Sequence, residues 1–375
     1  MKVPLLDTKA QIAPIRGQIN KAISKVVSSG GFILGQEVME LEKEITKYCN
    51  AGYAIGVSNG TDAIALSLKA LGIGQGDSVI CPAFTYYATA GAIASIGARP
   101  IFADIDPKTY NISIDSIKQI LRCTKYDVRS TIKAIIPVHL YGQCANMYEI
   151  MKIAKKHRLK VVEDTAQAFG AIYNGKKAGT IGDCGTVSFY PAKNLGAFGD
   201  AGCILTNNLR LTKKLRLLSN QGASAKNKYE HIHMGYNARL DTIQAAVLKI
   251  KLKYMDVWNK KRMKNATYYN KKLKHTGLVT PYVPEKNSHI YHQYVLKVKR
   301  GKEKIRKYLI SKGIDSRTYY PIPLHLQPCF KYLGYKNGDF PESEKCAQQT
   351  FTIPIYPELT KKQMDYVVSK IKEIV

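Results

Sequence analysis

A chain of 375 residues, 45% of them apolar, is long enough to bury a large core and to divide into one larger and one smaller domain. No stretch approaches the roughly 18 uninterrupted apolar residues of a membrane span, and the opening MKVPLLDTKAQIAPIRGQ lacks the sections of a signal peptide, so a soluble cytoplasmic protein is expected. The 57 Lys+Arg against 28 Asp+Glu give a net charge of +29, but these cations are scattered as KK, KNK and KLK pieces with no nucleic-acid motif, so no nucleic-acid partner is expected; most of the surplus is read as lineage-wide lysine usage, and a smaller share as drawing in anions such as a diphosphate.

Along the chain, Asn59-Gly60 makes a tight turn into a helix over 61–72, TDAIALSLKALG. Ile64, Leu66, Leu68 and Leu71 form its packed face, and Gly72 stands at the expected C-cap. The short apolar runs DSVICPAF, ARPIFADI, TIKAIIPVHLYG and LKVVEDTAQ alternate with helical patterns. Such alternation predicts an α/β fold with a mainly parallel sheet flanked by helices. After about residue 250 the character changes: a long basic helical pattern over 250–274, the apolar run HIYHQYVLKVK, a helix over 302–312, and a Pro/Tyr-rich loop. This predicts a large α/β domain over 1–250 and a smaller α+β domain over 251–375. No linker separates them, so a shared interface is expected. The eight cysteines form no C-x-x-C pair, and H-I-H at 231–233 is too short to coordinate a metal alone, so neither a disulfide framework nor a metal site is expected.

Four separated segments carry candidate chemistry. V-S-N-G-T-D-A at 57–63 is a Gly-containing turn opening a helix; its free backbone N–H groups after Gly60, with the Thr61 hydroxyl, suit a phosphate, or the turn is simply an N-cap. V-V-E-D-T-A-Q at 161–167 ends an apolar strand in acids at the edge where open parallel sheets bind ligands; Asp164 could hold a pyridine nitrogen protonated, or cap the next turn. S-F-Y-P-A-K-N-L-G-A-F-G-D-A-G at 188–202 places Lys193 among glycines, small residues and aromatics. A lysine in apolar surroundings loses its charge more easily and becomes a usable amine, with a snorkelling surface lysine as the plain alternative. G-Y-N-A-R-L-D at 235–241 sets Asn237 and Arg239 before a helical run, where they either grip an anion or support the fold.

In this order, and with G-F-I-L-G-Q-E-V at 31–38, P-A-F-T-Y-Y-A-T at 82–89 and Y-P-I-P-L-H at 320–325, the segments resemble the DegT-type (StrS-like) family of sugar aminotransferases that use pyridoxal 5'-phosphate (PLP). The resemblance implies the aspartate-aminotransferase fold (fold type I) and a homodimer with shared active sites. It further implies Lys193 as the Schiff-base lysine, Asp164 on the pyridine nitrogen, Gln167 near the ring hydroxyl and Tyr86 stacked on the ring. Thr61, the Asp62 amide and Ser188 would hold the phosphate, joined by Asn237 of the second subunit. Amino transfer runs in two halves, glutamate charging the cofactor to pyridoxamine 5'-phosphate and a nucleotide-linked keto sugar taking the amine.

The Lys193 segment resembles members acting on C3 of the sugar more than those acting on C4. Y-G-Q-C-A at 141–145 and H-I-H-M-G-Y-N-A-R-L-D-T-I-Q resemble enzymes of UDP-2-acetamido-3-amino sugars for lipopolysaccharide. Arg239, Tyr320 and His325 are then candidate sugar or diphosphate contacts, or supports of the domain interface. Tyr319 stands where the family often has histidine, and Gln221-Gly222 where His-Gly is common. Competing readings are a C4 aminotransferase of a 4-keto-6-deoxy sugar, and a non-catalytic regulatory or nucleic-acid-binding protein on the same fold.

Overall fold

The computed structural model describes residues 1–123, 126–224 and 226–375. The helices are α1 (Thr8–Ile12), α2 (Arg16–Ser29), α3 (Gln36–Cys49), α4 (Gly60–Ala70), α5 (Ala88–Ser95), α6 (Ile114–Cys123), α7 (Tyr126–Thr131), α8 (Met147–His157), α9 (Leu209–Ser219), α10 (Thr242–Leu252), α11 (Met255–Leu273), α12 (Lys302–Ser311), α13 (Pro341–Gln349) and α14 (Lys361–Ile374). The strands are β1 (Tyr53–Val57), β2 (Ser78–Pro82), β3 (Arg99–Ala103), β4 (Ile132–Ile135), β5 (Lys160–Asp164), the small hairpin β6 (Ile172–Tyr173) and β7 (Lys176–Lys177), β8 (Cys184–Ser188), β9 (Gly202–Thr206), β10 (Tyr294–Lys297) and β11 (Thr350–Ile353).

Among the described residues the central sheet has seven strands in the order β1-β9-β8-β5-β4-β2-β3. β2, β3, β4, β5 and β8 pair in parallel, while β9 runs antiparallel to both β8 and β1. The apolar runs expected as strands supply β2 to β5, and their burial on both faces is what a helix-covered parallel sheet requires. One face packs Val57, Val79 and Val162 against Ile64, Leu68 and Ala90 of α4 and α5. The other packs Ile80, Ile135 and Val161 against Ile117, Met147 and Ile150 of α6 and α8.

The helix expected over 61–72 is α4, which stops at Ala70 with Leu71 as C-cap. Gly72 follows at φ +84°, the left-handed residue that ends the turn. The long pattern over 250–274 is not one helix. It breaks at Lys253–Tyr254, between α10 and α11, where Tyr254 stacks on Trp258 with ring centroids 5.8 Å apart. Periodicity alone does not register such a break, because the apolar positions continue through it. In the C-terminal half β10 pairs antiparallel with β11, and a separate core joins Tyr269, Leu273, Leu309, Phe351 and Val367. Val3, from the start of the chain, belongs to that core and bridges Ile314. Among the described residues no helix is long and apolar enough to cross a membrane, and no group of three or more His, Cys, Asp or Glu side chains is placed to hold a metal ion.

Candidate active site

The carboxyl ends of β1, β2, β5 and β8 and the start of β9 meet at one edge of the sheet, and a cavity of about 670 Å³ opens there. Open α/β sheets place ligands at this edge because the connections leaving parallel strands diverge around it.

One wall is the entry into α4. Asn59 caps the helix, its Oδ1 accepting from the Asp62 N–H at 2.8 Å, while its Nδ2 and the Ser58 hydroxyl donate to the Asp62 carboxylate. The expectation that the Asp62 amide is free for a phosphate is therefore corrected: the cap uses it. Gly60 and Thr61 line the cavity beside Ser188. A Cβ on Gly60 would lie 2.7 Å from the Ser188 Cβ, so the backbone comes this close to β8 only because residue 60 is glycine. Gly60→Ala is expected to cost about 1–3 kcal/mol of overpacking; where that falls on ligand binding, affinity for a phosphate-bearing cofactor drops about 10–100-fold, measurable by absorbance titration.

At the base lies Asp164, 5% exposed. The Thr89 hydroxyl of α5 donates to its Oδ2 at 2.8 Å and the Ala166 N–H to its Oδ1 at 3.1 Å. Its neighbour Glu163 points to the opposite face, as strand alternation demands. There it is fully buried, accepting from the N–H groups of Gly179, Ile181 and Gly182 and facing His139 Nε2 at 2.9 Å. Since the Ala145 N–H donates to His139 Nδ1 at 3.1 Å, Nε2 carries the ring hydrogen and donates to Glu163.

Lys193 lies in the connection 189–201 between β8 and β9 and lines the same cavity. Burial pulls its ammonium down to about 8, with the Asp164 carboxylate pulling it back upward. Gln167 holds Tyr320 by an Nε2-to-hydroxyl hydrogen bond of 2.9 Å, and its Oε1 accepts from the Tyr141 N–H at 2.9 Å. Burial pushes the Tyr320 hydroxyl well above its ordinary value, so it stays a neutral donor. Tyr86 reaches over the cavity, 57% exposed, its ring centroid 5.9 Å from that of Tyr320.

Three expected contacts lie elsewhere. His325 is 2% exposed, with Nε2 3.0 Å from Glu344 Oε1 and its ring edge-on to Phe340; it pins a loop to α13 and does not line this cavity. Arg239 donates to Asn220 Oδ1 at 2.9 Å and Asn237 Oδ1 at 2.7 Å and does not line this cavity. Asn237 is exposed and outside this cavity. Conversely, Thr89, Asp200, His292 and Gln293 belong to the site without having been singled out; the first touches Asp164 and the others line the cavity. The motif H-I-Y-H-Q-Y carries no expected role in the site beyond its place in the smaller domain, although polar residues inside an apolar run are the signal that flags His292.

A family model described as the DegT/DnrJ/EryC1/StrS aminotransferase family matches residues 14–372. The chain belongs to this family. It is 45% identical over 376 residues, covering 100% of this chain and 98% of the relative, to a "Pleiotropic regulatory protein" of Geobacillus stearothermophilus. It is 38% identical, covering 99% and 97%, to the "UDP-N-acetyl-3-dehydro-alpha-D-glucosamine 3-aminotranferase" of Acidithiobacillus ferrooxidans. Among solved structures, a DegT/DnrJ/EryC1/StrS aminotransferase from Brucella abortus superposes with a TM-score of 0.94 at 37% identity, covering 98% of each chain. NtdA of Bacillus subtilis, with bound cofactor PMP, gives 0.90 at 33%, covering 100% of this chain and 85% of that one.

The fold is thus that of the DegT-type aminotransferases, fold type I, and the chain is a transaminase of this family, whose relatives act on nucleotide-linked sugars. A PLP-type cofactor is the family's. The residues present fit one: a glycine-lined approach for a phosphate at Gly60, a buried carboxylate at Asp164, and an amine tuned to about 8 at Lys193, all on one cavity.

Proposed function

We propose that this chain transfers an amino group from glutamate to C3 of a UDP-linked 3-keto-2-acetamido sugar, for cell-surface glycan such as lipopolysaccharide. The observation that carries amino transfer is the pairing, in one cavity, of Lys193, lowered to about 8, with the buried Asp164 carboxylate. The choice of C3 and of UDP rests on the sequence around Lys193 and on the name of the 38%-identical relative.

PLP, when bound, supplies the electron sink for the α-carbanion. The chain does the rest. Gly60, Thr61 and Ser188 would receive its phosphate; Asp164, kept in place by Thr89 and the Ala166 N–H, would hold a proton on its ring nitrogen; Gln167, Tyr320 and Tyr86 would line the space for its ring. Lys193 would hold the cofactor through Nζ until the donor's amine displaces it; the freed Nζ amine would then take a proton from the donor's α-carbon and deliver one to the acceptor sugar carbon. Because a free amine is required, the rate of cofactor capture should rise with pH to a plateau above about 8; a stopped-flow profile flat across that value would contradict the assignment.

Asn237, exposed and off the cavity, is read as reaching the phosphate of a second copy in a homodimer. If so, mixing Lys193→Ala with Asn237→Ala subunits restores activity that neither variant has, because hybrid dimers contain one intact site. Independent sites would give no recovery.

The deciding experiment charges the protein to the pyridoxamine form with glutamate and then adds UDP-3-keto-GlcNAc, its uronate, or a 4-keto-6-deoxy sugar nucleotide while PLP absorbance is followed. Return with a 3-keto sugar alone supports the proposal. Return with a 4-keto sugar alone replaces C3 by C4. No PLP signal, with salt-sensitive DNA binding instead, would favour a regulatory protein.

A further inference from the structure

The connection 189–201 folds back on itself and is gripped from outside by α10 and α11. Within it, the Lys193 N–H donates to the Tyr190 carbonyl at 2.8 Å, closing the turn that ends on this lysine, and the Ala197 N–H donates to the Phe189 carbonyl at 2.7 Å. The two limbs are in direct contact where Gly196 meets Pro191: a Cβ on Gly196 would lie 2.3 Å from the Pro191 carbonyl oxygen. From outside, the Phe198 N–H donates to Gln244 Oε1 at 2.8 Å, Asn194 Nδ2 donates to Asn259 Oδ1 at 2.9 Å, and Lys251 Nζ donates to the Gly196 carbonyl.

Lys251 lies on α10, is 2% exposed and does not line the cavity. Its Nζ also stands 5.8 Å from the Phe198 ring centroid and 5.9 Å from that of Trp258 on α11, faces that attract a cation. Burial pulls the ammonium down to about 8, with Glu358, in the segment after β11, pulling it back upward. An amine is a costly filler for such a place, because a methionine would occupy it without taking a charge out of water. What the amine serves is its acceptor. Gly196 is buried, and among the described residues no backbone N–H donates to its carbonyl, so Lys251 satisfies an oxygen that would otherwise stand unpaired.

We propose that Lys251 is a positioning residue for Lys193: by holding the Gly196 carbonyl it keeps the second limb of the connection against Pro191, and so fixes the turn over 190–193 from which Lys193 enters the cavity. Lys251 touches no reacting atom, and its effect passes through the backbone contact of Gly196 with Pro191. The inference rests on Lys193 being the lysine that captures the cofactor.

The test mixes full-length, cofactor-free protein with PLP and separates fast association from the slower capture, in which Lys193 Nζ joins the aldehyde carbon of PLP and one water leaves. Lys251→Met keeps the apolar stem and donates nothing. Capture should slow about 10–100-fold, the scale expected of a misplaced reacting group, while the association step stays as in wild type. Lys251→Arg, which retains a cationic donor, should recover most of the rate. Gly196→Ala, which forces the limbs apart from the other side, should slow capture with the same split. A lower melting temperature is expected of Lys251→Met whether or not it positions anything, so rates are compared per folded molecule. Wild-type capture in Lys251→Met, or equal slowing in Lys251→Met and Lys251→Arg, would overturn the proposal. One readout needs no variant: under trace acetylation of the wild type, read by mass spectrometry, Lys251 should be labelled far less than the exposed Lys253. Equal labelling would mean an Nζ that nothing holds, and would overturn the proposal as well. Normal capture that ignores residue 251 sinks this inference alone, whereas normal capture by Lys193→Ala, or none by the wild type, sinks the assignment of Lys193 itself.

Discussion

Lys193→Ala should leave a folded protein whose turnover falls by at least about 10³-fold, the range that general acid–base catalysis alone supplies. The side chain serves both as the amine that holds the cofactor and as the carrier of the transferred proton, so its loss is not confined to one half of the cycle. Folding should survive because Lys193 makes no ion pair among the described residues, and because its connection is anchored through Asn194, Gly196 and Phe198 instead. The measurement is paired: absorbance of added PLP, which should show no shift to a lysine-bound form, and single-turnover rate with glutamate. Near-normal turnover would remove Lys193 from the mechanism.

Asp164→Asn should give the opposite pattern, cofactor retained and chemistry slowed by about 10²–10³-fold, as when one preorganised electrostatic partner is lost. The asparagine keeps the shape and can still accept the Thr89 hydroxyl through its oxygen, but carries no charge to hold a proton on a ring nitrogen. Lys193 supplies a second readout in the same variant. Because the Asp164 carboxylate raises the lysine's proton affinity, removing its charge should move the amine below about 8. Cofactor capture should then reach its plateau at lower pH even as turnover falls. A variant as fast as wild type would assign the carboxylate to capping the turn at Ala166.

What was legible in the sequence was whatever local patterning controls. The strands β2 to β5, the helix after Asn59, and the placing of Asp164 at a strand end all follow from hydrophobic runs and punctuation by glycine and acids. What escaped was whatever depends on two segments meeting. Thr89 and Asp164 are 75 residues apart, and nothing local in α5 says that a buried threonine will find a carboxylate. The resemblance assigns the Asp62 amide to a phosphate, but the side chain of Asn59, three residues back, takes that donor to cap the helix. His325 stands between two readings, sugar contact or structural support, and nothing local shows that Glu344 of α13 and Phe340 just before it enclose the ring. The break between α10 and α11 falls where the apolar positions give no warning, although it is this pair of helices that clamps the lysine-bearing connection.

Glu163 and Asp164 are chemically near-identical neighbours, but the pleat of β5 gives them separate fates. The longer carboxylate is fully consumed inside the protein by three N–H groups and an imidazole, while the shorter one is left to face a ligand. The dipeptide is therefore directional. Exchanging the two letters leaves composition, charge and hydropathy untouched, yet it gives the inner nest an acid one methylene too short and the cavity an acid one methylene too long. Any sequence reading D-E in place of E-D at this strand end should be suspected of having a different occupant.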